Sequence, residues 1–362
     1  MGIKLKDLVH SEPIIASELA GAIIAIDAPN IVTSLFSFSH KKMDQSKFFF
    51  DSTQRPISHL YGLLYRVKFY YSKKILPIFC FDGVDSELKG FHTTDKLHDF
   101  QFYEKWRNQA LICGDWQKAR NIGLNKNYLW SNIIKESKQL LGALGVPYLT
   151  SPASAESQCA QLVKDGIAKY ANSQDYDSLL FGCPKIVRNL SKSLKRKIKG
   201  KWIYEKVQPE LIDLKKILHE LRINQFQLVD MGLLIGTDYF SGIKNIGPKT
   251  AWKAIRVHKT IEVVIKNLKE KFDFSEIHPE LIKEVRKIFL FPDVLETYPE
   301  FHWDPPVESL VVQLMCQDHS LNQDRVINNL EKTTNNYYKT IEFCARYLNK
   351  SRSIQKSLFD NL

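Results

Sequence analysis

Short apolar runs that end at an acid or a turn recur along the first half of the chain. GAIIAID (21–27) and LPIFCFD (76–82) are followed by VPYL (146–149) and AKYANSQD (168–175). Continuous apolar runs of this length are typical of strands that are buried on both faces of a parallel sheet. We therefore predict four such strands.

Longer segments with helical spacing of apolar residues separate these runs. HLYGLLYRVKFYY (59–71) and SNIIKESKQLLGALG (131–145) are two examples. Strands that alternate with helices predict an α/β fold with a parallel central sheet flanked by helices. In such sheets the ligand site lies outside the carboxyl ends of the strands. Acids that end the strands would gather there.

Two later regions depart from this alternation. Residues 84 to about 130 are polar with interleaved aromatics and predict an inserted helical excursion, and the chain is mostly helical from about residue 221. We predict that the chain has four parts. The polar composition of the last part indicates flexibility. The four parts are a core over 1–220 that includes the excursion, a helical region over 221–300, a helical return to the core over 301–350 and a flexible tail over 351–362.

Composition narrows the class of partner. Lys and Arg outnumber Asp and Glu by 51 to 40, which gives a net charge of +11 and favours a polyanion through counterion release. The six cysteines are scattered without a CxxC pair and indicate buried thiols in a reducing compartment. The chain has no apolar signal core and no run long enough to span a membrane. We expect an intracellular, monomeric protein without a membrane partner.

Six carboxylates follow the predicted strands or lie in the turn-rich segment GTDYFSG. They are Asp27, Asp82, Glu156, Asp175, Asp177 and Asp238. Converging acids repel one another unless cations lie among them, and oxygen ligands without His or Cys favour Mg²⁺ or Mn²⁺ over zinc. Two such ions can activate a water for phosphodiester hydrolysis. The alternatives are that single aspartates cap helices or turns, and that DYD marks a nucleotide-sugar transferase.

A second candidate element is the segment GIKNIGPKTAWKAI (242–255). Gly247 precedes Pro248, and proline is favoured in the first turn of a helix. The free N–H groups of that turn form an anion site, to which Lys244 and Lys249 add charge. This site would hold a phosphate backbone without reading sequence, and the alternative is an ordinary turn between helices.

These motifs together resemble the flap endonucleases, the structure-specific 5′ nucleases of replication and repair, and most closely their archaeal members. The similarity covers nearly the whole chain, through MGIKL, AIDAPN, ISHLYGLLYR, FDG, LLGALGVPYL, SQDYDSLLFG, VRNL and GTDYFSGIKNIGPK. It implies a PIN-like nuclease core, a helical arch over the active site and a helix-two-turn-helix element that grips duplex DNA, with a K⁺ near Ile243 and Ile246. It also implies cleavage of flapped or nicked DNA with two Mg²⁺ ions, for which Mn²⁺ can substitute.

The resemblance also implies roles for individual residues. The six acids match metal-site carboxylates, and Lys89 and Lys96 match arch positions that contact the scissile phosphate. Gly2 and Arg66 match positions near the DNA, and Lys244, Gly247 and Lys249 belong to the DNA-binding turn. Gln355, Leu358 and Phe359 resemble a sliding-clamp peptide, which Asn361 and Leu362 weaken because they replace its aromatic pair.

Three positions depart from the family pattern. Ser154 replaces a metal-site acid, Lys96 replaces an arginine, and Thr33 replaces a tyrosine whose stacking on a base is worth on the order of 1–3 kcal/mol. Ser154 is neutral and is also a good cap for the helix expected to begin at Glu156. These departures support an alternative function, a junction-binding paralogue with weakened or no catalysis.

Overall fold

The computed structural model describes residues 3–37, 49–83, 93–190, 193–198 and 201–359. The strands β1 to β9 are Glu12–Pro13, Ile23–Asp27, Leu76–Phe81, Tyr148–Thr150, Tyr170–Asn172, Lys185–Arg188, Ser193–Ile198, Lys201–Lys206 and Glu210–Asp213. The helices α1 to α14 are Ala28–Ser37, Ser58–Ser72, Thr93–Ile112, Trp116–Gly123, Lys126–Ala143, Ala155–Lys164, Asp177–Leu180, Leu214–Leu221, Gln225–Ile235, Pro248–His258, Ile261–Leu268, Pro279–Leu290, Glu308–Val312 and Gln323–Phe359. A 3-10 helix covers Ala16–Leu19, and a π-helix covers Gln313–Gln317.

The central sheet is mixed, with a parallel middle. Its strand order is β1-β9-β6-β5-β2-β3-β4, and the five strands from β6 to β4 are parallel. The predicted strands are confirmed as β2, β3, β4 and β5. The predicted parallel central sheet is confirmed, and two strands that were not predicted extend it, because β9 pairs antiparallel with β6 and β1 pairs antiparallel with β9. These edge strands are short and lack continuous apolar runs, so their pairing depends on tertiary contacts.

Strand alternation divides the core between the two faces of the sheet. Ile24 and Ile26 of β2 pack on the face covered by α2, α5 and α14, whereas Ala25 packs on the opposite face. Ile78 of β3 lies on the same face as Ala25, and Phe79 lies with Ile24. Because successive side chains of a strand point to opposite faces, two layers of helices are needed to bury this sheet.

From Thr93 onward, where the structure describes it, the polar stretch after β3 is helical. Helices α3 and α4 pack against each other, and α5 returns the chain to β4. Arg107 of α3 is buried and donates to the carbonyl and the hydroxyl of Thr53. This contact ties the excursion to the loop before α2.

The chain returns to the core after the helical region. Trp303 Nε1 donates to the carbonyl of Pro77 in β3 (2.9 Å), and Tyr337 Oη donates to the carbonyl of Trp303 (2.7 Å). Thr340 Oγ1 of α14 donates to the carbonyl of Tyr71 in α2 (2.7 Å). Where the sequence predicts a flexible tail, α14 continues as helix to Phe359. A helix that is already nucleated gains one hydrogen bond per added residue, and this segment contains no Pro or Gly to end it.

Strands β7 and β8 form an antiparallel hairpin that is separate from the central sheet. The cysteines form no disulfide, but Cys113 is exposed at the end of α3 and Cys316 is half-buried, so they are not all buried thiols. Within the described residues no helix is long and apolar enough to cross a lipid bilayer.

A buried ionic cluster joins the loop before α2, helix α5 and the segment after the π-helix. His319 Nδ1 lies 3.0 Å from Asp51 Oδ2, and its Nε2 lies 3.4 Å from Glu136 Oε1. Arg55 and His59 approach Glu136 at 3.2 and 3.0 Å. Burial lowers the pKa of His319, but its hydrogen bonds to Asp51 and Glu136 outweigh burial and raise that pKa to about 9. The imidazolium is therefore the form that the fold stabilises.

We expect His319→Gln to destabilise the protein in a pH-dependent way. Breaking a buried ion pair costs about 3 kcal/mol. The stabilisation by His319 is fully present below about pH 6.5, the pKa of an unfolded histidine, and is lost as the pH rises through about 9. Urea unfolding of the wild type and the variant near pH 6 and near pH 10 measures the difference. His302→Gln, at an exposed histidine, is the control, and a pH-independent difference would contradict the assignment.

Candidate active site

Asp27 ends β2 at the carboxyl edge of the parallel strands. Its carboxylate is 2% exposed and accepts hydrogen bonds from the N–H of Asn30 (3.1 Å) and from Ser173 Oγ (2.9 Å). Asn30 lies in the first turn of α1, and its Nδ2 donates to Asp175 Oδ2 (2.8 Å). Ser173 Oγ also lies 3.4 Å from Glu156 Oε1. Two polar residues, Asn30 through its backbone and side chain and Ser173 through its hydroxyl, thus connect three acids from separate segments.

Asp82 contacts the start of α6, the helix whose first turn contains Glu156. Asp82 directly follows β3, and its Oδ1 accepts the N–H of Ala155 (2.8 Å). Ser154 is the N-cap of α6 and accepts the N–H of Ser157 (3.1 Å), which confirms its capping role and places the helix start one residue before Glu156. The N-terminus of α6 therefore offers its free N–H groups to this edge of the sheet.

The close packing of the backbone directly after Asp82 requires glycine at position 83. A Cβ atom at this position would lie 1.9 Å from the carbonyl oxygen of Ser151. The Gly83 N–H donates to the carbonyl of Ala153 (2.8 Å). Only glycine allows the end of β3 to approach the segment after β4 so closely.

The DYD segment is a turn braced from β6. Arg188 donates from Nε to the carbonyl of Gln174 (3.0 Å), and its guanidinium lies over the ring of Tyr176 at 4.1 Å from the centroid. Asp177 begins α7, is 4% exposed and accepts the N–H of Ile3 (2.8 Å). The bracing turns Asp175 and Asp177 toward the same edge of the sheet and brings the N-terminal segment next to them.

Asp238 reaches this region from the loop between α9 and α10. The loop is pinched at its base, because a Cβ atom on Gly236 or Gly242 would lie 2.6 or 2.5 Å from the backbone of the other side. Both glycines have positive φ, at 110° and 82°, which larger residues rarely adopt. Asp238 is exposed, and its charge acts on Asp177.

The electrostatics show that these acids lie close together. Burial and the charge of Asp82 raise the pKa of Asp27 to about 7, although the hydrogen bonds from Asn30 and Ser173 oppose the shift. Burial also raises the pKa of Asp177 to about 6, with contributions from Asp238 and Asp175. Desolvated carboxylates beside other carboxylates are the environment that binds cations.

The turn before α10 has the form expected of an anion site. Gly247 is the N-cap of α10, Pro248 follows at the first helical position, and a Cβ atom on Gly247 would meet nothing within 4 Å. Lys244 and Lys249 are exposed beside it. Ile243 and Ile246 are buried and anchor the turn from below.

A second buried ion pair fixes the helices behind that turn. Asp230 of α9 is fully buried and accepts from Arg286 of α12 at 2.8 and 2.9 Å and from the N–H of Ile261 in α11 (2.9 Å). Glu262 pairs with the same guanidinium at 2.6 Å. The helices α9, α11 and α12 therefore form one unit that carries the loop with Asp238.

Comparison with known proteins bears on the whole chain. The XPG I-region family model matches residues 145–238. Flap endonuclease 1 of Methanosarcina acetivorans is 36% identical over 328 residues, which are 90% of this chain and 94% of that protein. Flap endonuclease 1 of Nanoarchaeum equitans is 37% identical over 346 residues, with 92% of this chain and 96% of that protein covered. This chain belongs to the flap endonuclease family.

Solved structures agree with this family membership. The flap endonuclease-1 of Methanococcus jannaschii aligns with a TM-score of 0.70 at 25% identity, over 93% of this chain and 99% of that one. The catalytic core of Rad2 in complex with DNA substrate aligns with a TM-score of 0.62 over 88% of this chain and 94% of that one. Because that identity is 20%, it shows the shared fold alone. The α/β nuclease fold expected from the sequence is confirmed.

The acids of this flap endonuclease family member lie near the same edge of the sheet and accept the hydrogen bonds described above. Among the residues that the structure describes, no three His, Cys, Asp or Glu side chains stand close enough around one point to hold a metal ion. The all-oxygen donor set nevertheless fits a hard divalent cation, and family nucleases are generally metal-dependent.

Some predicted site residues lie elsewhere or outside the described part of the chain. Arg66 of α2 is half-buried and reaches the carbonyl of Leu190 and Ser34 Oγ, each at 3.5 Å, and Thr33 is exposed on α1. Gly2 and Lys89 lie outside the described residues, and so do the side chains of Lys96, Gln355, Leu358 and Phe359. Their assigned roles stay predictions.

Sequence reasoning missed three residues that position the acids. Asn30, Ser173 and Arg188 hold Asp27, Asp175 and the DYD turn through the contacts described above. Asn30 and Ser173 lie within three residues of a predicted metal-site acid, which was the available signal. Arg188 gave no local signal, because it reaches the turn only through strand pairing between β5 and β6.

We expect Asp27→Asn to stabilise the metal-free protein at neutral and higher pH. The raised pKa of about 7 means that the folded state loses stability as the pH rises from about 4 to about 7, because the buried carboxylate must then ionise. Asparagine removes that cost, on the order of 4 kcal/mol. Urea unfolding with a chelator measures the free energy of unfolding of the wild type and of Asp27→Asn. The variant should be much more stable than the wild type near pH 8, and this difference should vanish near pH 4. A variant and a wild type that are equally stable at both pH values would contradict the burial of an anionic Asp27.

Proposed function

We propose that this protein is a structure-specific 5′ flap endonuclease that hydrolyses a DNA phosphodiester near the junction of single and double strands. The observation that carries the proposal is the gathering of acids at the carboxyl edge of the parallel strands. Asp27 ends β2, Asp82 directly follows β3, Glu156 lies in the first turn of α6 and Asp175 follows β5. We place this activity in replication and repair, where flaps and nicks arise, and so with the DNA inside the cell.

The acids and the basic positions divide the work in this proposal. Two divalent cations are held by six carboxylates, namely Asp27, Asp82, Glu156, Asp175, Asp177 and Asp238. The cations are Mg²⁺ ions, for which Mn²⁺ can substitute. When bound, the ions supply the Lewis acidity that activates a water and stabilises the leaving oxygen. Lys89 and Lys96 contact the scissile phosphate from the arch. The 5′ single strand passes the arch, so that only a free end is positioned for cleavage.

A separate element holds the duplex. The N–H groups at the start of α10, with Lys244, Gly247 and Lys249, contact the phosphate backbone without reading bases. We also propose a K⁺ ion at the turn around Ile243 and Ile246. Gly2 and Arg66 complete the DNA contacts near the cut.

The last residues of the chain supply a candidate partner contact. We propose that Gln355, Leu358 and Phe359, at the end of α14, bind the sliding clamp weakly. Asn361 and Leu362 lack the aromatic rings that fill a hydrophobic pocket, so few contacts are available to anchor the peptide.

Purified protein should cut a labelled double-flap DNA in the presence of Mg²⁺, and Asp177→Ala should not. Removing a buried metal-site carboxylate is expected to lower kcat by at least about 100-fold, while DNA binding in Ca²⁺ falls much less. A gel assay with matched binding measurements reads both quantities. Asp273→Ala, at an exposed aspartate in the connection between α11 and α12, is the control. Cleavage that is absent in the wild type, or unchanged in Asp177→Ala, would exclude the proposal.

A second candidate function is a junction-binding protein with weak or no catalysis. It is favoured by Ser154, whose Oγ caps α6 and supplies no charge to the acid cluster. Metal affinity falls with one carboxylate fewer, although a water can replace the missing ligand on Mg²⁺.

Ser154→Glu separates the two functions. If the serine limits catalysis, the variant should cleave about 10-fold faster or more at low Mg²⁺, since it gains a carboxylate at the cost of a helix cap worth about 1 kcal/mol. Rates measured over a range of Mg²⁺ concentrations test this. A wild type that is already as fast as the variant excludes the binding-only function. Ser154→Asp retains a capping oxygen and adds a negative charge, so it serves as the matched variant.

A further inference from the structure

Asn30 joins two acids that belong to different strands. Its backbone N–H donates to Asp27 Oδ1 (3.1 Å), and its side-chain Nδ2 donates to Asp175 Oδ2 (2.8 Å). Asp27 ends β2 and Asp175 follows β5, the parallel neighbour of β2. One residue in the first turn of α1 therefore fixes the spacing between two carboxylates at the centre of the sheet edge.

The orientation of the Asn30 amide follows from its partner. Its NH₂ group donates to Asp175 Oδ2, so its Oδ1 lies on the other side of the amide. Oδ1 is buried and makes no hydrogen bond. An unpaired buried acceptor costs about 1–3 kcal/mol, and folded proteins leave few of them without a reason. We therefore expect Asn30 Oδ1 to accept a hydrogen bond from a bound group.

The surroundings define the chemistry of that partner. Asp27 and Asp175 flank Asn30, and Ser173 already donates to Asp27, so the region is rich in oxygen acceptors and short of donors. A hydrated divalent cation provides both a positive charge for the carboxylates and hydrogen-bond donors for the unpaired acceptor. Carboxylates are ligands of a hard cation, and Mg²⁺ keeps several waters whose hydrogens point outward and require acceptors.

We propose that Asn30 is a positioning residue of the metal centre, whose Oδ1 accepts a hydrogen bond from a water of the bound cation while its two N–H groups hold Asp27 and Asp175. The inference rests on the proposed function, because it requires these acids to bind a divalent cation. Removing a residue that hydrogen-bonds to metal ligands typically lowers metal affinity or activity by about 10-fold to 100-fold.

Two substitutions should have opposite effects on metal binding. Asn30→Ala removes the acceptor and the bridge, so Mn²⁺ affinity should fall by about 10-fold to 100-fold, and the rise in Tm caused by Mn²⁺ should shrink. Asn30→Asp keeps an oxygen and adds a carboxylate beside Asp27 and Asp175. Its metal-free Tm should fall through repulsion, and its rise in Tm with Mn²⁺ should exceed that of the wild type. Titration calorimetry and thermal unfolding of the full chain without DNA measure both effects.

Asn121→Asp is the matched control, since it adds the same charge on the exposed side of α4, where Asn121 accepts a hydrogen bond from Gln117 (3.3 Å). It should leave Mn²⁺ affinity unchanged. If Asn30→Ala binds Mn²⁺ like the wild type and loses only metal-free stability, Asn30 is a structural bridge and the inference is overturned. A wild type that binds no Mn²⁺ would overturn the proposed function as well. Wild-type flap cleavage together with undiminished affinity in Asn30→Ala would overturn the role of Asn30 alone.

Discussion

Repulsion among carboxylates at one edge of the sheet is the constraint on which the rest of this structure depends. Parallel strands end at the same edge, so acids that close them are brought together by topology whether or not they attract one another. Asp27 and Asp177 are almost fully buried there, and the pKa of each is raised by burial and by neighbouring acids. The fold tolerates this because main-chain N–H groups and two short side chains donate to the carboxylates.

The same donors come from segments that are distant in the sequence. The N-terminal segment offers the N–H of Ile3, the start of α6 offers the N–H of Ala155, and α1 offers both N–H groups of Asn30. The helical unit held by the Asp230 and Arg286 pair carries the loop with Asp238, whose charge acts on Asp177. A site assembled in this way is sensitive to the packing of the whole domain, which the C-terminal return through Trp303 and α14 completes.

Ser154 shows how one residue beside the acids serves the fold. Its hydroxyl caps α6 and so satisfies a helix N–H group, whereas an acid in its place would add a further negative charge beside carboxylates that are already close to one another. The serine therefore favours a stable metal-free fold. The proposed lack of a metal-site carboxylate at this position is what separates the catalytic from the binding-only function.

The sequence by itself determined the strands β2 to β5, the helices between them, the identity of the acids and the glycine-proline turn before α10. These follow from local patterns, because apolar runs, helical spacing and turn chemistry act over a few residues. Family membership also followed from the sequence, through ordered motifs along nearly the whole chain.

Tertiary structure alone decided which groups hold the acids in place. The antiparallel edge strands β1 and β9, the bracing of the DYD turn by Arg188 and the bridge made by Asn30 all join residues far apart in the chain. A hydrogen bond between distant residues leaves no periodic trace in either segment, since only the folded backbone brings donor and acceptor together. The ionisation of Asp27 likewise depends on burial and on neighbours that only the assembled sheet supplies.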